Sequence, residues 1–569
     1  MAKRRILFCG EASFLSTGFA VYNREIITRI YNTGKYEIAE MGSYAQGGDP
    51  RGSELPWKFY GVLPINEHEK KIYEANPVNQ FGKYKIDSVL SDFQPDIVFD
   101  PRDPWMFEHL GVAKFRDNYK LILMPTVDSA PQRAEWIKGI FANADVLTTY
   151  SRFGKRILEQ AALEVADVTS PGVNLDRFKP LDRTVVRDEF CIQPSLLIFG
   201  TVMRNQKRKL FPDLFDAYAK LRFKHAVRQR VARAKDKVKN GKNLSKLEKQ
   251  ALRIDHSALY CHTSWPDIGW DIPQYLGRTQ LQRHVIFTYK CDACGKVFAS
   301  WFTPCDKKGM CVCRVCGQPA AHMPTTHNGV DEEDLIKIFN LFDIYLQPAI
   351  CEGWGLPIME SKACGVPGLY QNYSAMEDHV ENGGGLPIKV QRLYHEAETT
   401  ALRSLPDVND MVSKMELLAF DDKKRERLGQ QARKCAERMH AWDVTANKLD
   451  KIFSEVEIHD RSKTWDRPPE FRSVTPESPP LNCSDEEFVN WLYINILGRE
   501  AEEQGFNDWI NTLRSGGNRH EVEAFFREQI NSHNKFEEVR WNHSLGIRGM
   551  PAEVDPVEMN RDVIPGVLL

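Results

Sequence analysis

Nowhere in the 569-residue chain is there a run of about 18 apolar residues, so no segment is suited to spanning a bilayer core. After Met1–Arg5 only five uncharged residues precede Glu11, too few for a secretory apolar segment, and a cytoplasmic start is expected. Neither sign of charge dominates: 78 acids face 76 bases, a net of −2, which excludes a uniformly basic nucleic-acid binder. Thirteen cysteines in a chain this long are too sparse for a disulfide scaffold. What is present is ordinary globular material, 42% hydrophobic and 27% charged, enough for several domains.

Two local features depart from these averages. Lys220–Arg253 holds thirteen Lys and Arg against Asp236 and Glu248, a net of +11 that leaves −13 for the remainder. With few apolar residues and a turn at Asn240-Gly241, the segment reads as one or two solvated helices. It reads either as a solubilising hairpin or as a site for phosphates, such as those of nucleic acid and of duplex DNA in particular. The second feature is Cys291-Asp-Ala-Cys294 with Cys313-Arg-Val-Cys316, two C-x2-C knuckles each followed by glycine, at Gly295 and Gly317. Two such knuckles supply four thiolates to one tetrahedral shell, which suits a structural zinc with no open position for catalysis. Cys305 and Cys311 are spare and open as alternative ligands.

The first 180 residues alternate short apolar runs (Arg5–Gly10, Ile97–Asp100, Leu121–Pro125, Val146–Tyr150) with helical stretches (Ala20–Tyr31, Ser151–Ala162). The same pattern restarts beyond a connector near Asn174–Pro194, with strands expected at Leu196–Met203, Ala258–His262, Val285–Tyr289 and Ile344–Pro348. Helices are expected there at Leu335–Leu341, Pro357–Ala363 and Asp407–Phe420, and a long helical pattern at Arg425–Glu455. This predicts an α/β chain with two doubly wound, Rossmann-like domains at 1–180 and 181–455. The second carries a basic helical insertion at 220–256 and a zinc-ribbon insertion at 288–323. A Pro-rich linker at 456–480, a small all-α accessory domain at 481–545 opening with the capping box Ser484–Glu487, and a tail at 546–569 complete the chain.

Ligands of open α/β sheets sit at the carboxyl ends of strands, so the residues there carry the functional reading. Gly18 stands at a helix N-terminus after the first strand, where a backbone can approach a phosphate. Arg204 and Lys209 follow Leu196–Met203 and form a pair of cations able to clamp a diphosphate and stabilise a leaving group. After Ile344–Pro348, Gly353 and Gly355 form a loop able to cradle phosphate with backbone N–H groups. Glu352 and Glu360 there can face one cleft and accept hydrogen bonds from vicinal hydroxyls. Each has a bland alternative: a turn glycine, a solvated basic loop, an acid favouring a helix start.

Together these residues resemble a known family. Glu352-x7-Glu360 around Gly353-Trp-Gly355-Leu-Pro, then Ala363-Cys-Gly-Val-Pro367, is similar to the retaining GT-B glycosyltransferases of family 4. The Arg204…Lys209 spacing, Ser170-Pro-Gly-Val-Asn174 with Phe178-Lys-Pro180, and Ser151-Arg-Phe-Gly-Lys155 match its other motifs in order, over about residues 4–455. The resemblance implies a nucleotide-diphosphate sugar donor held mainly by the second domain. Arg204 and Lys209 would hold the diphosphate, Glu360 the ribose, and Glu352 would sit by the donor sugar. The Gly355 and Leu356 amides would lie by phosphate and sugar, and Gly18 would close from the first domain. Asp128, in Thr126–Pro131, would stand beside the reacting sugar, where the family often has His. No catalytic metal is expected, in keeping with the absence of an Asp-x-Asp motif. Phe488–Tyr493, Leu497–Glu500, Gly505 and Trp509 resemble a small helical module often appended to glycosyltransferases.

The acceptor is the open half of the reading. The basic insertion and the zinc ribbon favour a hydroxymethylated pyrimidine base in DNA, as in a virus-encoded DNA-modifying enzyme. The alternatives are a polysaccharide or protein acceptor, and a non-catalytic sugar-nucleotide-binding module.

Overall fold

Strands covered by helices on both faces have no polar side, and apolar residues dominate most strands of two largely parallel sheets. The computed structural model describes residues 3–303, 310–325, 328–397, 399–465, 483–496, 501 and 503–527. The chain divides into two units, Met1–Ile65 with Gln80–His459, and Asn66–Asn79 with Asp460–Leu569.

The larger unit holds both sheets. The first comprises β1 (Arg4–Glu11), β2 (Tyr36–Gln46), β3 (Lys58–Leu63), β4 (Ile97–Asp100), β5 (Lys120–Leu123), β6 (Val146–Thr149) and β7 (Asp167–Val168). All pairs are parallel, in the order β3-β2-β1-β4-β5-β6-β7. β2 and β3 were not expected from the sequence, because polar residues break their apolar pattern. Glu40 in β2 is nonetheless fully buried, its carboxylate accepting from the Ser13 amide at 2.7 Å, the Ser13 hydroxyl at 2.8 Å and Trp57 Nε1 at 2.8 Å.

The second sheet comprises β8 (Leu197–Val202), β9 (Ser257–His262), β10 (Val285–Cys291), β11 (Val297–Trp301), β12 (Ala321–His322), β13 (Ile344–Gln347), β14 (Gly368–Gln371) and β15 (Gly385–Ile388). Its order is β11-β10-β9-β8-β13-β14-β15, with β12 also on β10. A separate antiparallel hairpin, β16 (Val390–His395) and β17 (Leu402–Pro406), follows.

Both insertions sit differently from the sequence expectation. Lys220–Phe223 belongs to the helix Phe211–Phe223, and the basic hairpin proper is His225–Lys239 and Lys246–Asp255. The cysteine segment expected at 288–323 shares a strand with the main sheet. β10 pairs with β9 in parallel at Val285–Phe287 and with β11 in antiparallel at Ile286–Lys290. Tyr289, Cys291, Phe298, Cys313 and Ala321 accordingly join the apolar core of the second domain.

The long pattern at Arg425–Glu455 is two helices, Asp422–Met439 and Trp442–Glu455. The second was expected within the second domain but packs on the first. Phe453 sets its ring edge-on to Phe8 at 5.8 Å and to Phe99 at 5.4 Å, and Arg4 Nη1 donates to the Phe453 and Val456 carbonyls at 2.7 and 2.8 Å. Amphipathic periodicity says that a helix has a buried face, not which sheet covers it. The two crossings between domains run together, with the Val173 amide donating to the His440 carbonyl at 2.7 Å.

In the smaller unit the Ser484 capping box starts the helix Asp485–Asn495, which packs on Glu503–Arg514 and on helical residues 519–527 through Phe488, Leu492, Ile510 and Phe526. Of the linker expected at 456–480, residues 456–465 are described and hold the short helix Arg461–Thr464; residues 466–480, the Leu497–Glu500 motif and the tail lie outside the described residues.

Phe453→Ala should cost about 3–5 kcal/mol, the usual range for removing a buried phenyl ring. It should lower the urea midpoint of the first domain; an unchanged midpoint would show that this helix does not brace that sheet.

Candidate active site

β8 and β13 are neighbours, paired Phe199 to Ile344 and Gly200 to Tyr345, so the loops leaving their carboxyl ends meet. The β8 loop passes through Arg204 into the turn Lys207–Lys209 and the helix Phe211–Phe223. The β13 loop passes through Glu352 into the helix Leu356–Ala363, with Pro357 in its first turn. Gly355 caps that helix at φ 97°, a left-handed conformation that a side chain resists.

Glu352 is the centre of the arrangement. Its carboxylate, buried at 5% exposure, accepts from Lys209 Nζ in a very short contact, from Arg208 Nη1 at 2.8 Å and from Gln347 Nε2 at 2.7 Å. Its own amide donates to Ser374 Oγ at 2.9 Å, and that hydroxyl donates back to the Glu352 carbonyl at 2.9 Å. Burial alone would raise the carboxyl, but Lys209 and Arg208 hold it down at about 2. Lys209 is itself pushed down to about 8 by burial and by Arg208. Of these partners the sequence reading named only Lys209. Arg208 was legible as its neighbour in the same basic run; Gln347 and Ser374 carried no signal.

Arg204 stands apart from this cluster. It forms a two-pronged pair with Asp267, Nε and Nη2 each at 3.0 Å from a carboxylate oxygen, on the loop after β9. That loop is fastened to the same turn: Asn205 exchanges two 2.8 Å hydrogen bonds with the Trp270 backbone, and Trp270 Nε1 donates to the Lys207 carbonyl at 3.0 Å. Glu360 is half-buried on the helix Leu356–Ala363. Burial and Glu332 push its carboxyl up to about 8, and it has no hydrogen-bond donor among the described residues.

The first domain closes on these loops. The helix Gly18–Asn32 starts opposite the helix Leu356–Ala363: a Cβ on Gly18 would lie 3.3 Å from Leu356 Cδ1. Two helix N-termini, each with a partial positive charge, thus face one another across the cleft. A Cβ on Gly353 would overlap Thr126 Cγ2 at 2.0 Å, so glycine there permits the loop contact. Asp128 accepts from Arg403 Nη1 at 3.0 Å, the Ser129 hydroxyl at 2.8 Å and the Cys351 thiol at 3.2 Å. Arg403 comes from β17, whose Leu402 amide donates to the Ala130 carbonyl at 2.7 Å. Neither Arg403 nor Asp267 was anticipated, since nothing in the local sequence ties either to a site residue so far along the chain. Asp103 was missed as well; burial and the Asp128 carboxylate push it up to about 7.

Cys291, Cys294, Cys313 and Cys316 bring four Sγ atoms within 4.8 Å of one another. Cys291 and Cys316 are 3.6 Å apart, Cys294 and Cys313 3.9 Å. Thiolates at about 2.3 Å from a tetrahedral zinc are separated by roughly 3.8 Å, so the set fits an S4 shell. Gly295 and Gly317 take φ 69° and 75°, and each donates its amide to the carbonyl of the first cysteine of its knuckle. Cys311 is disulfide-bonded and outside the four; Cys305 lies outside the described residues. Phe302, beyond β11, packs edge-on to Trp265 at 5.4 Å on the loop that carries Asp267. Phe302, between the two knuckles in sequence, thus touches the loop that holds Arg204.

Two doubly wound domains whose strand-end loops face one another define a GT-B-like architecture. Solved structures of this fold include sucrose-phosphate synthase from Thermosynechococcus elongatus, at TM-score 0.54 and 15% identity over 80% of this chain and 99% of that one. Anabaena HepE in complex with UDP and glucose is similar at TM-score 0.52 and 11% identity, over 80% of this chain and 100% of that one. Residues 322–435 match the family Glycosyl transferases group 1, and residues 472–535 match a domain of unknown function, DUF4214. The D-inositol 3-phosphate glycosyltransferase of Corynebacterium efficiens is 30% identical over 160 residues, 25% of this chain and 34% of that protein. That of Corynebacterium diphtheriae is 27% identical over 135 residues, 24% and 28% respectively. The chain thus spans about a third of the length of the curated relatives it matches.

Because Glu352 is held ionised, its contribution to stability is complete above the ordinary carboxylate value of 4.5 and is lost as pH falls toward 2. Glu352→Gln should remove about 3 kcal/mol of that acid dependence, read as a shallower loss of stability between pH 4.5 and 2. Parallel acid curves for variant and parent would refute the buried pairing.

Proposed function

We propose that this chain is a retaining glycosyltransferase that moves a hexose, glucose-like by preference, from a nucleotide-diphosphate sugar to an acceptor hydroxyl. The observation that carries the reading is the buried Glu352–Lys209–Arg208 cluster lying where two helix N-termini face one another. A diphosphate entering this cleft meets Lys209, Arg204 and the Gly353–Leu356 backbone, with Gly18 closing from the other side. Glu360 would take the ribose: two hydroxyls donating to its carboxylate offset the burial that otherwise disfavours its charge.

In the transfer step the acceptor oxygen bonds to the anomeric carbon as the bond to the diphosphate oxygen breaks on the same face. The acceptor proton passes to the departing diphosphate oxygen. Lys209 and Arg204 stabilise the negative charge that develops there, and Glu352 orients Lys209 and the sugar hydroxyls. Asp128, held by Arg403, Ser129 and Cys351, offers a fixed polar contact beside the sugar. Retention and the absence of a metal from the diphosphate are carried by the resemblance to family 4.

For the acceptor we favour a hydroxymethylated pyrimidine in DNA, supported by the basic hairpin and the cysteine knuckles. A carbohydrate acceptor is the second reading, favoured by the hairpin's distance from the cleft. The four thiolates would hold a structural zinc that stiffens β10–β12 and, through Phe302 and Trp265, the loop that positions Arg204.

Hydroxymethylated DNA and a set of oligosaccharides, each incubated with a panel of nucleotide sugars, should separate the readings by mass spectrometry. A hexose mass added to the base supports the DNA acceptor; addition to oligosaccharide alone rejects it. Lys209→Ala should lower kcat/KM for the donor about 10²–10³-fold with any acceptor, as for loss of one group stabilising transition-state charge; unchanged kinetics would sink the assignment. Metal analysis should find one zinc per chain, lost in Cys294→Ser/Cys316→Ser together with a raised donor KM. Zinc retained by that variant would disprove the four-thiolate site.

A further inference from the structure

The basic hairpin does not lie at the cleft. The helix Phe211–Phe223 starts beside Lys209 at the carboxyl end of the second sheet and runs 13 residues back along it. At about 1.5 Å per residue its far end is roughly 20 Å away. The hairpin leaves from that far end and returns at Ser257, the first residue of β9, next to the start of β8, where the Leu197 amide donates to the His256 carbonyl at 3.2 Å. It therefore projects from the amino end of the sheet, whereas the cysteine knuckles leave β10 at the carboxyl end.

Five of the thirteen cations between Lys220 and Arg253 reach a carboxylate: Arg222 and Lys235 on Asp255, Lys224 on Glu416, Lys237 on Glu248 and Arg253 on Asp422. The other eight reach none among the described residues. Two of the hairpin's like-charged pairs, Arg230 with Arg233 and Lys246 with Lys249, stand three residues apart on one helix, a spacing that costs helix stability unless an anion relieves it. At the hairpin's root Lys220, Lys224, Arg228 and Arg278 line a groove of about 750 Å³ in which Asp216 is the only acid. Its wall includes Phe223, with the Arg228 guanidinium 4.8 Å over the ring.

We propose that the hairpin and this groove form an anchoring site for the phosphodiester backbone of nucleic acid, separate from the transfer site. The inference rests on the DNA reading above and deepens it. One molecule holds the polymer at the amino end of the second sheet by sequence-independent charge, and the base to be modified is presented to the cleft from elsewhere on the same polymer or on another copy. A phosphodiester chain supplies evenly spaced negative charges without burying apolar surface, which matches a groove whose Lys220, Arg228 and Arg278 reach no carboxylate among the described residues.

The test is fluorescence anisotropy of a plain 20-base-pair duplex with the full chain over a range of salt. Binding should weaken with salt at a log–log slope of about −4, as expected for roughly four neutralised phosphates. Arg230→Glu/Arg233→Glu/Lys246→Glu/Lys249→Glu should lower affinity at least 30-fold with an unchanged thermal midpoint. The milder Lys220→Gln/Arg278→Gln pair should lower it several-fold should the first variant prove unstable. Lys209→Ala should bind the duplex as the parent does. The proposal is overturned if the hairpin variant binds as well as the parent, if Lys209→Ala loses as much, or if the parent binds phosphatidylserine vesicles and ignores the duplex. Binding that the hairpin variant loses, with no base modified in hydroxymethylated DNA, keeps the anchor and retires the DNA acceptor. Base modification with the hairpin variant's binding intact does the reverse.

Discussion

A carboxylate taken out of water must be matched by cations and hydrogen bonds, or it takes up a proton. Glu352 is such a group, and the second domain is arranged around keeping it ionised. Lys209 and Arg208 arrive from the end of β8, Gln347 from the end of β13, and Ser374 from the loop after β14. Those elements have to be adjacent, in this register, for the charges to meet. The same cluster gathers positive charge where the helix Leu356–Ala363 begins, so one requirement fixes both loops and the charge at the cleft. With both cations on its carboxylate, Glu352 fixes where the Lys209 ammonium and the Arg208 guanidinium stand.

The additions to the two-domain core fall at opposite ends of the second sheet. Parallel strands give a sheet two chemically distinct ends, and a connection that follows a strand lies at one end while a connection that precedes a strand lies at the other. The cysteine knuckles follow β10, and Phe302, beyond β11 in the same segment, packs on Trp265 in the loop that holds Arg204. The basic hairpin precedes β9 and is separated from the cleft by the length of a helix. One addition therefore lies at the cleft end of the sheet and the other at the end away from it.

Much of the fold could be read from periodicity. β1, β4, β8, β9 and β13 fall within a residue or so of their apolar runs, because a strand covered on both faces is apolar on both faces. β2 escaped because it buries Glu40 in a pocket of donors, a polar residue whose burial depends on Ser13 and Trp57. The helix Trp442–Glu455 was visible as a helix but was placed with the wrong sheet, since its apolar stripe fits either. At the candidate site, residues in compact motifs were legible: Glu352 and Glu360, Lys209, and the four cysteines. Residues acting across long separations were not. Asp267, Ser374 and Arg403 sit among ordinary loop and strand residues, and only folding brings them to Arg204, Glu352 and Asp128.

By itself the sequence determined the alternation of strands and helices, the positions of the strand-end motifs, the four-thiolate spacing and the concentration of positive charge. Each depends on neighbours within a few residues, where chain geometry leaves little choice. Only the tertiary structure decided which charges pair, which sheet receives the last long helix, and at which end of the second sheet each addition projects. Those outcomes depend on the matching of surfaces and buried charges between segments tens to hundreds of residues apart, and local preference carries no information about that matching.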